Sequence, residues 1–261
     1  MASDTSQSLD TEAAVPGASP RFAERIARLL RVLFVICLPA FFLLTSVRLV
    51  ASETFIELEY HRPGFPRDRF GFSQEDRLKY APYAVRYLHN DADTSYLGDF
   101  ELDGAPMYTE KELRHMADVK TVVQTAFTVH TALALALAAV AVFLMWRPST
   151  RHLLRHALSE GGVFTIALII TFVILMVVSW DFFFDNFHAV FFEGDSWQFS
   201  TSSTLIRLFP EQFWFDAAIT IGLLTVGGAL CAMLVAWYWR HPPFITIPKR
   251  ATRRPKNTPH S

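Results

Sequence analysis

"TEKELRHMADVKTVVQTAFTVHTALALALAAVAVFLMW" (109–146) changes character part-way along. Its second part, 122–146, carries no charge and is long enough to cross about 30 Å of hydrocarbon, which takes roughly 20 residues. Its first part is charged and opens on Thr109-Glu110-Lys111-Glu112, a hydroxyl followed three residues later by a glutamate. That spacing is a capping box, in which each side chain satisfies the other's backbone amide at a helix start. No breaker follows before Pro148. The stretch therefore predicts one continuous helix that begins outside a bilayer and runs straight into it.

Three further stretches, 29–50, 163–180 and 217–239, are likewise apolar and long enough to cross. The chain is 51% hydrophobic and 14% aromatic, with 24 phenylalanines, and its mean hydropathy is +0.24. This is too apolar for an ordinary soluble domain. The expected fold is an all-α polytopic membrane protein, a four-transmembrane-helix bundle over residues 21–240. A polar tail, 1–20, precedes it and a basic tail, 241–261, follows. Two cysteines, Cys37 and Cys231, fall inside spans and read as small packing residues, with no disulfide framework or metal cluster. The charge pattern gives no nucleic-acid footprint.

Charge partition sets the orientation. Arg21, Arg25, Arg28 and Arg31 precede the first span, and Arg147, Arg151 and Arg155 lie between the second and third. Arg240, Lys249, Arg250, Arg253, Arg254 and Lys256 follow the last. Between the third and fourth spans, Asp181, Asp185, Glu193, Asp195, Glu211 and Asp216 face a single Arg207. The positive-inside bias puts both termini in the cytoplasm and leaves 51–121 and 181–216 as outer segments. "VAS" before Glu53 resembles a cleavage site, but the long apolar run and nearby Arg48 favour an uncleaved first helix. Within the first outer segment, Gln74 to Tyr87 predicts a short helix containing Pro82, and Asp103-Gly104 predicts a tight hairpin. Residues 61–72 are turn-rich.

Of nine histidines, most have ordinary surroundings. His152, His156, His241 and His260 lie among cytoplasmic arginines, and His61 and His89 lie in loop segments. His130 sits near Thr128 and Thr131, where a hydrogen-bonded packing role is expected. His115 and His188 differ. Glu112, His115 and Asp118 share a helix face; so do Asp181, Asp185, His188 and Phe192, at i, i+4, i+7 and i+11. Each histidine has an acid about one turn away, able to orient its ring, and both lie at the outer ends of spans.

A histidine's ordinary pKa of about 6.5 suits a general base near neutrality. No serine sits in a G-x-S-x-G turn, both cysteines are misplaced, and no H-E-x-x-H spacing supports a metal. Base-assisted attack by a nucleophile of the substrate itself remains. Transport is disfavoured, because no span carries a carboxylate or lysine near its middle and no internal repeat is visible. The competing reading is a non-enzymatic membrane protein whose outer loops bind lipid or a partner.

"RHMADVK" (114–120), "FHAVFFEGDSW" (187–197) and "LIRLFPEQFWFD" (205–216) resemble the lipoprotein intramolecular transacylase (Lit) family of bacterial membrane proteins. The similarity spans roughly residues 25–240, in the same order. It implies an acyltransferase at the outer face of the bacterial cytoplasmic membrane. Such an enzyme moves the sn-2 acyl chain of a diacylated lipoprotein's diacylglyceryl-cysteine onto that cysteine's α-amine, with no cofactor. The family's two catalytic histidines map by motif onto His115 and His188. Asp118 and Asp185 are then expected to orient them. Arg114, Asn186 and Trp197 are candidate oxyanion or substrate contacts, and Phe184, Phe187, Phe191 and Phe192 a groove for acyl chains. Where the family suggests an acid shortly before the Leu-Ile pair, this chain has Ser202-Ser203-Thr204.

Overall fold

A computed structural model describes residues 20–240; the tails read above from sequence, up to residue 19 and from 241 on, lie outside the described residues. In chain order the elements are α1 (Pro20–Val50), α2 (Glu53–Tyr60), α3 (Gln74–His89), α4 (Ser95–Gly98), β1 (Glu101–Leu102) and β2 (Ala105–Pro106). They continue with α5 (Glu110–Trp146), α6 (Arg151–Val178), α7 (Trp180–Phe191), α8 (Thr204–Leu208) and α9 (Glu211–Arg240). Four of these, α1, α5, α6 and α9, are long and apolar enough to cross a membrane. Over the described residues the protein is a four-span helical membrane protein.

Lipid is as apolar as leucine, so helices in a bilayer associate by close packing and occasional polar contacts rather than by escape from water. The contacts among α1, α6 and α9 follow that rule. Gly161 lies against Leu38, Gly162 against Met233 and the Ala229 carbonyl, and Gly228 under the Phe42 ring. The Thr225 hydroxyl meets that of Ser46 at 3.0 Å between buried faces of α9 and α1. Arg31 pairs with Glu160 across α1 and α6.

Helix α5 joins this group mainly through α1. Leu137 and Leu144 pack with Phe34, Leu38, Leu153 and Leu154 at the end where α5 turns into α6. The Thr150 hydroxyl closes that turn on the Leu144 carbonyl at 2.8 Å. Higher up, His130 Nε2 lies 2.9 Å from the Thr45 hydroxyl and its ring stacks on Phe41. The packing role expected for His130 is met by a partner on α1.

At the opposite end, the connecting segments gather over the bundle around a second core that includes Ile56, Tyr87, Leu97, Tyr108, Leu208 and Phe213. Asp103 and Gly104 both have positive φ, 55° and 77°, the conformation a two-residue hairpin turn needs. Residues 74–89 form the expected helix with Pro82 inside it. Buried Arg77 donates to the Arg207 carbonyl at 2.8 Å and to the Pro66 carbonyl at 2.6 Å. Arg207 in turn pairs with Asp68 and lies 3.6 Å over the Phe72 ring. Lys120, also buried, donates to Asn90 at 3.1 Å and lies 4.1 Å from the Tyr87 ring centre. These contacts knit α3, the 61–72 segment and α8 to the start of α5.

Tight packing at Gly162 is testable. A Cβ there would lie 2.5 Å from Met233 Cγ and 3.0 Å from the Ala229 carbonyl oxygen, whereas one at Gly227 would meet nothing. Gly162→Val is expected to cost about 1–3 kcal/mol of stability by overpacking. It should show a lower midpoint in thermal unfolding of the purified protein than Gly227→Val. Equal midpoints would refute the packing argument.

Candidate active site

The site lies where α5 begins and α6 gives way to α7. The capping box forms as the sequence predicts: Thr109 Oγ1 accepts from the Glu112 amide, and the Glu112 carboxylate accepts from the Thr109 amide at 2.8 Å. The same carboxylate accepts from the Leu205 amide at 2.9 Å, tying α8 to α5. His115 follows Glu112 by one turn. The helix of 37 residues is about 55 Å long at 1.5 Å per residue, far more than the hydrocarbon thickness. Its first turns, with His115, therefore stand clear of the apolar 122–146 stretch.

Ser179 is extended (φ −153°, ψ 90°) and separates α6 from α7. Its amide still donates to the Leu175 carbonyl, while its own carbonyl accepts from the Phe183 amide to start the new helix. None of α7's residues is buried, and Phe182, Phe187, Val190 and Phe191 are exposed. The helix stops at Phe192, whose amide caps the His188 carbonyl at 2.8 Å. Gly194, with φ of 60°, then turns the chain into a strap, residues 192–200, that leads to α8.

This strap brings the two histidines together. The Phe192 ring centre lies 4.9 Å from that of His115 and 5.7 Å from that of His188. Trp197 stacks on His188 at 4.7 Å, and Phe199 meets His115 edge-on at 5.3 Å. Phe184 covers another side of His188 at 4.1 Å. His188 Nδ1 donates to the Phe184 carbonyl at 2.8 Å. His115 Nδ1 is buried with no hydrogen-bond partner among the described residues.

Burial under these rings pushes the His115 pKa down to about 4, helped by the charge of His188 and opposed by Asp118. Burial also lowers that of His188, opposed by its bond to the Phe184 carbonyl and by Asp185. Both imidazoles are neutral at pH 7. In His188 the proton sits on Nδ1, since a carbonyl can only accept there, and Nε2 carries the lone pair.

The remaining sequence-derived residues divide. Trp197, Phe184 and Phe192 form the walls. Phe187 touches His188 at 5.5 Å, and Phe191 reaches Phe187 and Phe192 rather than either histidine. Asp118 and Asp185 are exposed and act on the histidines through charge; it is the Phe184 carbonyl that holds the His188 ring. Arg114 points to solvent and pairs with Glu110 at 3.6 Å. Asn186 turns back to the Phe182 carbonyl at 2.7 Å. Among the described residues, neither bonds to a histidine. The bond from Nδ1 to the carbonyl four residues back is not distinctive in itself, since His61 and His89 make it too. Aromatic burial and the second histidine set His188 apart. Phe199, Lys111 and the second task of Glu112 escape the sequence reading. Among the described residues, no three His, Cys, Asp or Glu side chains are grouped as a metal site requires.

Comparison with known proteins shows the family and the fold. A model of the lipoprotein intramolecular transacylase Lit family matches residues 32–214. The chain belongs to the Lit family. An uncharacterized protein of Aquifex aeolicus (strain VF5) is 33% identical over 201 residues, covering 76% of this chain and 88% of its own. The solved structure of the membrane-integral Lit from Bacillus cereus superposes with a TM-score of 0.69 at 19% identity, over 82% of this chain and 96% of that one. A variant of the same protein with a histidine-to-arginine substitution gives 0.66, over 84% and 93%. These structural likenesses concern the fold. Family membership makes this Lit protein a lipoprotein intramolecular transacylase, an acyltransferase of the membrane.

The aromatic cover should be visible in titration. Histidine NMR is expected to place the His115 midpoint near 4, and Phe192→Ala to raise it toward the ordinary value of about 6.5 by admitting water. An unmoved midpoint in the variant would show that Phe192 does not desolvate the ring.

Proposed function

We propose that this Lit family member moves the sn-2 acyl chain of a diacylglyceryl-cysteine lipoprotein onto the cysteine α-amine, giving the lyso form, with His188 as general base. The observation that carries this reading is the meeting of two neutral histidine rings across Phe192. The arginine-rich segments support an orientation with both termini in the cytoplasm and the histidines at the outer face of the cytoplasmic membrane. The partner is a diacylated lipoprotein held in the surrounding lipid.

The chemistry follows from the protonation states. The α-amine attacks the sn-2 ester carbonyl, so that an N–C bond forms and the carbonyl oxygen becomes an oxyanion. His188 Nε2 takes the amine's proton. Collapse then breaks the bond to the sn-2 oxygen, and the same proton passes from His188 to that oxygen. An ester and an amine become an amide and an alcohol, a downhill exchange that needs no nucleotide. His115, neutral at pH 7, serves as hydrogen-bond donor to the oxyanion rather than as a source of a whole proton. Ester and amine belong to one molecule, which supplies an effective molarity on the order of 10⁵ M or more. Phe184, Phe187, Phe191 and Phe192 line the approach for acyl chains and keep out water that would otherwise hydrolyse the ester. Asp118 and Asp185 support the basicity of their neighbours through charge.

Lipopeptide mass spectrometry of a bacterial host tests the reading. Wild type is expected to convert diacyl lipopeptides to the lyso form. His188→Ala should lose roughly 10²–10⁴-fold in rate, and His115→Ala roughly 10²–10³-fold, with the protein still in the membrane. Unchanged diacyl lipopeptides with wild type would sink the assignment and favour a binding role for the outer loops. Lyso product persisting in both variants would sink the roles given to the histidines.

A further inference from the structure

The strap covers both histidines, yet little holds it down. Its two ends are tied to the neighbouring chain, the Phe192 amide to the His188 carbonyl at 2.8 Å and the Ser200 carbonyl to the Ser203 amide at 2.9 Å. Between them its backbone bonds are internal: the Ser196 amide to the Glu193 carbonyl at 3.5 Å and the Gln198 amide to the Asp195 carbonyl at 3.0 Å. A polar tie to α5 comes from Lys111. Its Nζ lies 3.0 Å from the Gln198 carbonyl and 3.4 Å from the Asp195 carboxylate, and 5.6 Å from the centre of the Phe199 ring. Lys111 precedes His115 by four residues, so both share one face of α5. Gln198 stands between Trp197, stacked on His188, and Phe199, set against His115.

His115 depends on this cover more than His188 does. The His188 ring is fixed by its bond to the Phe184 carbonyl. The His115 Nδ1 has no such bond among the described residues, so contacts with Phe192 and Phe199 set its orientation. Both of those rings belong to the strap. We infer that Lys111 is a positioning residue for the transacylation: it latches the strap to α5 and thereby fixes the His115 ring against the reacting ester. This rests on the proposed function. Asp195 is well exposed, and an exposed ion pair contributes little. The charge-assisted bond to the Gln198 carbonyl and the contact with Phe199 carry the latch.

The test uses the full-length protein in lipid nanodiscs with a synthetic diacylglyceryl-cysteine peptide. Lys111→Met keeps the aliphatic length and removes the charge; Lys111→Arg keeps the charge. Lys111→Met is expected to lower kcat about tenfold with KM within about twofold, the pattern of a misplaced catalytic group. Lys111→Arg should restore kcat to within about twofold of wild type. Histidine NMR supplies the readout that a general loss of structure would not give. The groups acting on His115 through charge are His188 and Asp118, and both stay in place. With the strap loosened by Lys111→Met, the His115 midpoint should rise from about 4 toward 6.5, and it should return with Lys111→Arg. Wild-type kcat in Lys111→Met, or a lower kcat with an unmoved His115 midpoint, would overturn the inference. So would failure of Lys111→Arg to restore either. If wild type turns over no peptide, the reaction assignment fails, while the NMR comparison still decides the latch.

Discussion

The buried carboxylate of Glu112 fixes the geometry on which the site depends. It is 1% exposed, and a charge so placed is costly unless hydrogen bonds replace its water. Three donors do so: the Thr109 amide, the Thr109 hydroxyl and the Leu205 amide, at 2.8, 2.9 and 2.9 Å. The first two start α5 and the third starts α8. Ser203, the residue before α8, makes no side-chain cap of its own, so Glu112 supplies from a distance what an acid ahead of Leu205 would supply locally. Thr204 adds a bond to the Met107 carbonyl. The strap thus leaves α7 at Phe192 and must return to a fixed point beside the start of α5. Within that span it has to pass His115.

The molecule divides its rigidity accordingly. The helices α1, α6 and α9 touch through glycines at distances that admit no Cβ, and two small cores lock α5 at both ends. Helix α7 has no buried residue and a row of exposed phenylalanines. In the orientation proposed here it lies at the bilayer surface, where lipid covers what protein does not. One histidine therefore sits on the braced helix and the other on the peripheral one. In the proposed reaction, acyl chains arriving from the bilayer would meet the peripheral side first and leave the braced one undisturbed.

Much of this was legible in the sequence because it is local. The capping box at Thr109, the hairpin at Asp103-Gly104 and the helix around Pro82 depend on neighbours a few residues apart, and the four spans on composition alone. Spacing also singled out His115 and His188. It misjudged how they are held. Helical spacing places Asp185 near His188, but the carbonyl of Phe184 is closer and its direction suits Nδ1. Arg114 and Asn186 stand beside the histidines in sequence, yet helix geometry turns them to Glu110 and to the Phe182 carbonyl. The break at Ser179 has no proline or glycine to announce it. Phe199 and Lys111 enter only through the path of the strap, which is a tertiary fact; no local pattern encodes it.

The depressed basicity of the two histidines looks at first like a handicap for base catalysis. It follows from the aromatic cover, and that cover cannot be removed without admitting water. Water is the competing nucleophile, and its attack on the ester would release a fatty acid instead of transferring it. The proposed reaction tolerates a weak base for a specific reason. Once the amine bonds to the carbonyl carbon, its nitrogen becomes cationic and far more acidic than the free amine, so even a reluctant imidazole can take the proton. A weakly basic imidazole also gives the proton up readily, which the departing sn-2 oxygen needs. A dry site with a strongly basic histidine would hold the proton at that step. The rings that exclude water therefore also tune His188 for both halves of the exchange, and a neutral His115 beside it avoids a second cation that would oppose the transfer.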